Sequence, residues 1–294
     1  MREREKLKIV TKYELLKHIR RKRFYGALAI TVLAVVLMIG LYRGLDVPGQ
    51  IRERIKKQML GVPEPEQDRI LDQAKISDNP EFFAMFVTSM GTLAVLGAVF
   101  FAGDAIASEF EQKTGYILFP NPVKRTTIVI GKYLACFVAT GIVLAVAYLI
   151  SIFALVVFYG EVPVGVFGSF AIALMLACFI ISLAFTFSAA LRGGMGATIL
   201  TLITYMVIFP IFSGGLSAIG YDPWFIPDRA GDAIAATYNI SYENVFGWMT
   251  GEERTLAGMI RASQNPTLSF FVLMIYAAVL FIISLFIANR REML

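Results

Sequence analysis

Six stretches of 18 to 28 residues in this chain carry no charged side chain: 24–41, 82–103, 133–159, 164–191, 196–216 and 268–288. About 20 apolar residues in helical form cross a hydrocarbon layer roughly 30 Å thick. An amphipathic helix of a soluble core would show polar residues every three or four positions, and these runs do not. In lipid every backbone N–H and C=O must be bonded within the segment, so an isolated apolar run of this length has to be helical. Composition agrees: 57% of the 294 residues are hydrophobic and 17% charged, where a soluble domain carries about a quarter charged residues. The expected fold is all-α, a single transmembrane domain over 1–294 with six membrane-spanning helices.

Charge gives the orientation. If both termini share one side, that side holds 1–23, 104–132, Arg192 and the C-terminal tail, with 17 basic and 7 acidic residues, while the other side holds 10 basic and 15 acidic. The excess of Lys and Arg places both termini in the cytoplasm. The net charge of +5 is this asymmetry, and it points to membrane topology rather than to nucleic acid. A basic segment ahead of an apolar run also describes a secretory leader, but Leu41-Tyr42-Arg43-Gly44-Leu45-Asp46 lacks a small-x-small cleavage site. Ile9, Tyr13, Leu16 and Ile19 recur at helical spacing among Lys12, Lys17 and Arg20-Arg21-Lys22-Arg23. That pattern describes a helix in the cytoplasmic interface with its basic face on anionic lipid head groups; the alternative is an unstructured basic anchor.

Gly160-Glu161-Val162-Pro163 and Arg192-Gly193-Gly194 punctuate the tight turns between the third, fourth and fifth spans. The segments 43–80 and 217–267 fall outside the membrane on the opposite side. The first carries two short amphipathic patterns; the second mixes Trp224, Phe225, Tyr238, Tyr242, Phe246 and Trp248 with Pro, Gly and acids, which suits an interfacial or re-entrant structure. Asn239-Ile240-Ser241 fits the glycosylation pattern, as random tripeptides also do. Gly91, Gly97 and Gly103 give close-approach points on the second span. Pro210, followed by Ser213-Gly214-Gly215, predicts a kink or break near the outer end of the fifth.

The loop 104–132 carries the functional argument. Asp104 ends the apolar run at a capping position, and Glu109 and Glu111 supply an acidic start to a short helix. Ile106, Phe110, Tyr116, Ile117 and Leu118 give it apolar residues before Pro120 and Pro122 end it. Arg125 and Lys132 are expected to hold the third span at the head groups. A short helix fixed at both ends, with apolar anchors and a polar rim, is suited to a soluble partner; any cytoplasmic loop also needs charges and helix stops. The loop resembles the signature of ABC-2 permeases, an acidic helix after the second span, Glu-x-x-Thr, a Leu-rich run, Pro-Val-x-Arg and then Gly-Lys. The matching residues are Asp104, Ile106, Glu109, Glu111, Thr114, Leu118, Pro122-Val123-Lys124-Arg125 and Gly131-Lys132. The family often has Gly just before the Thr; this chain has Lys113 there and Gly115 after it. The resemblance implies a permease, mostly an exporter in this family, paired with a second copy or paralogue in the plasma membrane. It also implies docking of this coupling helix (Asp104, Ile106, Glu109, Phe110, Glu111, Lys113, Thr114, Tyr116 and Ile117) onto a separate cytoplasmic ATPase that holds the ATP and magnesium.

Other chemistry is poorly represented. Cys136 and Cys178 lie in apolar runs and read as packing residues, and the lone His18 reads as a surface residue. No Walker motif, G-x-S-x-G or H-E-x-x-H occurs, so enzymatic activity and a cofactor are not expected in this chain. Thr140, Ser151, Thr201, Thr204 and Tyr205 are candidates to line a path. The spans lack a midplane carboxylate of the kind ion-driven carriers use. A gradient-driven carrier or channel and a non-transporting scaffold remain the alternatives.

Overall fold

A computed structural model describes residues 3–59, 61–73, 75–88, 91–108, 124–191, 193–238, 240 and 264–290, and its regular elements are all helical. They are α1 (Glu3–Arg20), α2 (Lys22–Gly44), α3 (Val47–Gln58), α4 (Glu64–Gln73), α5 (Pro80–Thr88) and α6 (Gly91–Ala102). Then follow α7 (Arg125–Tyr159), α8 (Gly165–Ala190), α9 (Gly194–Ala218), α10 (Pro227–Ala236) and α11 (Pro266–Arg290). Among the described residues α2, α7, α8, α9 and α11 are each long and apolar enough to cross a membrane. Over the second span expected at 82–103 the described residues form α5 and α6, on either side of 89–90, which lie outside them.

α8 is the central helix, packed by α6, α7, α9, α10 and α11. Its buried positions include Ser169, Ala173, Ala177, Ser182, Ala184, Ser188 and Ala189, small side chains that let neighbouring backbones approach where lipid supplies no hydrophobic drive for helix association. Gly97 on α6 uses the same device: a Cβ there would lie 3.6 Å from Thr140 Cγ2 of α7. The outward faces of α2, α7, α9 and α11 are apolar, with Leu33, Phe153, Ile211 and Ile282 exposed.

α7 begins at Arg125, eight residues before the apolar run starts at Tyr133, and continues for 35 residues, about 52 Å at 1.5 Å per residue. Its first two turns therefore stand clear of the apolar run. There Thr126 Oγ1 lies 3.5 Å from Asn289 Oδ1 of α11 and Thr127 Oγ1 3.4 Å from Glu3 Oε2 of α1. Both ends of the described chain thus meet at one end of the bundle, termed the near end. At the far end α7 stops at Gly160, whose φ of +73° closes the helix in a left-handed conformation open to glycine.

The far end carries the two amphipathic helices expected in 43–80. Asp46 caps α3 through Gly49 N, and Arg52 joins α3 to α4 by ion pairs with Asp68 (2.9 Å) and Asp72 (2.8 Å). Lys56 adds a 2.7 Å pair to Asp68, and the two cations hold its carboxyl below the usual range. α10 is wedged between spans, buried at Asp228, Arg229, Ala230, Ala233 and Ile234 and packed on α5, α8, α9 and α11. Gly231 faces Leu176, eleven residues into α8. α9 is continuous to Ala218 but widens into a π turn at Thr204–Ile208, just before Pro210. Proline has no N–H and crowds the carbonyl four residues back, so the preceding turn opens; the distortion lies one turn deeper than the glycines suggested.

Candidate functional site

Residues 103–108 follow α6, and side chains of four helices fix that segment. Gly103 begins a turn against Thr198 of α9, so close that a Cβ would collide with its hydroxyl. Asp104, expected to cap the following helix, accepts at Oδ2 from Arg23 Nη1 of α2 at 3.0 Å. Ser188 Oγ of α8, fully buried, accepts from both Ile106 N (3.0 Å) and Ala107 N (2.9 Å). Two amide donors at a turn would otherwise be buried without a partner, each at a cost of about 1–3 kcal/mol.

Lys132 makes the fourth tie, and it does not reach the head groups as its sequence position suggested. It is 4% exposed, and its Nζ donates to Ala105 O at 3.0 Å and pairs with Glu14 Oε1 of α1 at 3.6 Å. Glu14 also lies 3.5 Å from Lys17. Arg125, by contrast, is the first residue of α7 and half-buried.

The inward face of α1 is the reason Lys132 has a partner. Glu3, Val10, Glu14 and His18 fall on one stripe at helical spacing and face α7. Val10 sits on Gly131, where a Cβ would lie 2.6 Å from Val10 Cγ1. His18, expected at the surface, turns inward, its Nε2 3.6 Å from Cys136 Sγ and its ring edge-on to Phe101 at 5.7 Å. Cys136 Sγ in turn donates to Phe101 O at 3.2 Å. Burial pulls the His18 pKa down from 6.5 to about 4, partly offset by Glu14 and reinforced by Lys132, Arg21 and Lys17. The imidazole is therefore neutral at pH 7 and suited to this packed position. Ile9, Tyr13 and Leu16 remain exposed on the opposite face.

The sequence-derived contact residues are thus divided. Ile106 is 4% exposed and packs into the apolar core, and Asp104 is partly buried. Glu109, Phe110, Glu111, Lys113, Thr114, Tyr116 and Ile117 lie outside the described residues. Ser188 and Glu14 had no signal of their own, because a lone serine in an apolar run and an acid in a basic segment are unremarkable without their partners.

A second polar cluster lies toward the far end. Thr88 Oγ1 and Tyr238 OH are 2.6 Å apart, Tyr148 OH and Ser169 Oγ 2.7 Å, and Ser169 reaches Thr88 at 3.4 Å. Beside it Val35, Leu144, Tyr148 and Ser151 line a cavity of about 10 Å³, room for about one water molecule and too small for a transported solute. Thr140 and Thr201 are fully buried, and Ser151 and Thr201 turn their hydroxyls to carbonyls of their own helices. Asp228 and Arg229, which a long polar segment did not single out, are also buried; Asp228 accepts from Ser213 Oγ at 3.0 Å and Arg229 pairs with Asp232 at 3.3 Å. Among the described residues no group of His, Cys, Asp and Glu is placed to hold a metal ion.

These features describe a multi-pass helical membrane protein in which side chains of four helices hold residues 103–108. No curated protein matches the chain. Residues 8–293 fit the family model described as ABC-2 family transporter protein; the chain belongs to that family, as a membrane permease of the ABC transporter class.

Proposed function

We propose that this permease is driven by a separate ATPase that docks on residues 109–117, and that it works as an exporter in the plasma membrane with the near end in the cytoplasm. ATP and magnesium belong to the partner, and a second permease copy or paralogue completes the membrane part. The observation that carries the reading is the fixation of residues 103–108 by Arg23, Lys132, Ser188 and the Gly103–Thr198 contact. A stretch that must pass force between a soluble partner and the spans needs a stiff root, and four helices provide it here. The expected contact surface is Glu109, Phe110, Glu111, Lys113, Thr114, Tyr116 and Ile117. Ile106 supports it from within the core, and Asp104 does so through Arg23.

The test is isolation of the tagged protein from its native membrane with its partners. A stoichiometric Walker-motif ATPase, lost on Glu109→Lys with Glu111→Lys while the spans stay folded, is the expected result. A folded protein that carries no ATPase, under conditions that preserve such complexes, favours the gradient-driven carrier or the scaffold.

A further inference from the structure

Lys132 poses a physical question. A buried ion pair draws little net stability from its Coulomb attraction, because both charges leave water, and an apolar side chain of the same volume would generally hold α1 to α7 as well or better. Buried charge pairs are better suited to fixing register than to adding stability. The geometry here has that character. Ala105 lies in the turn 103–106, outside any regular helix, and its carbonyl accepts from Lys132 Nζ at 3.0 Å. The same nitrogen is 3.6 Å from Glu14 on α1, so one buried atom joins α7, α1 and the turn 103–106. The Arg23–Asp104 pair is more exposed, with 59% of the arginine side chain open, and is screened accordingly. Ser188 fixes the segment to α8 but does not involve α1.

We propose that Lys132 is a positioning residue: its ammonium fixes the main chain at Ala105, in the turn that follows α6, and through Glu14 it makes α1 move together with that turn. α1 is then part of the moving unit, a lever laid on the protruding turns of α7 with Val10 seated on Gly131 as its contact point. What the movement serves rests on the ATPase-docking reading; the linkage is a property of this chain alone.

The experiment uses the full chain, isolated with whatever ATPase accompanies it, as wild type, Lys132→Met and Glu14→Gln. Two quantities are read: amide exchange over 103–108 and α1, and ATP turnover per bound ATPase. Lys132→Met keeps volume but removes the donor, and it should raise exchange over 103–108 by about tenfold or more through local opening, with α8 unchanged. The ATPase should remain bound at wild-type stoichiometry while its turnover changes, a split that a simple loss of folding would not produce. Glu14→Gln keeps the carbonyl bond and should loosen α1 more than 103–108; it carries the test if the methionine variant fails to fold. Unchanged exchange over both segments in the folded variants overturns the proposal. If wild type brings no ATPase, the docking reading fails, and amide exchange on the permease alone still decides the linkage.

Discussion

Replacing Gly131 by alanine tests how closely α1 depends on α7. The added Cβ would meet Val10 Cγ1 at 2.6 Å, Val10 Cβ at 3.2 Å and Thr11 N at 3.4 Å. Relaxed carbon contacts lie near 3.5–4.0 Å. A valine methyl can rotate away, but Val10 Cβ and the backbone of Thr11 move only if α1 itself lifts. Overpacking of this kind costs about 1–3 kcal/mol. Alanine also favours the helical state of α7 by up to about 1 kcal/mol, but α7 is helical whether or not α1 is docked, so that gain does not offset the loss of docking. Global melting will therefore understate the effect, and a local probe is required. Cys136 is such a probe: it is fully buried beneath His18. In a Cys178→Ser background, which keeps a hydroxyl near Tyr133, a membrane-permeant maleimide should label Cys136 about tenfold faster after Gly131→Ala, the factor for about 1.4 kcal/mol. Adding Val10→Ala restores the space and should return the rate toward that of the parent, a coupling characteristic of residues in contact. Equal labelling of the parent and Gly131→Ala would refute the close approach, as would a double variant that labels no more slowly than the single one.

Other substitutions probe other joints. At the far end, Gly165→Ala would set a Cβ 2.8 Å from Thr237 O and 2.9 Å from Tyr238 Cδ1; a backbone carbonyl cannot swing aside, so a loss of about 1–3 kcal/mol should appear as a lower melting temperature in detergent. Gly168→Ala, with its nearest contact at 3.3 Å to the movable Thr237 Cγ2, should cost less, and the reverse order would contradict the packing of α10 on α8. For His18, a docked pKa of about 4 against 6.5 when free means that the undocked form binds protons more readily. The contribution to docking is complete above pH 6.5 and declines as the pH falls toward 4. A spin label at Tyr13→Cys should gain mobility over that range, and His18→Gln should flatten the response; an unchanged pH profile in the variant would count against a buried neutral imidazole.

The membrane class, the five long spans, the turn at Gly160 and the pair of far-end helices are legible in the sequence, because lipid enforces run length and glycine or proline marks where a helix must end. The loop signature is likewise legible as a pattern of residue types, and the family match agrees with it. Tertiary structure decided the rest. Lys132 reads as a head-group anchor because it sits at the end of an apolar run; it is buried because α7 extends to Arg125 and α1 brings Glu14 alongside. His18 turns inward for the same reason, and Ser188 becomes an acceptor only where the turn at 103–106 presents two amides to it. Hydropathy is a property of one segment and survives in the linear chain. The partner that makes a buried charge tolerable lies more than a hundred residues away, and only the packing of helices brings the two together.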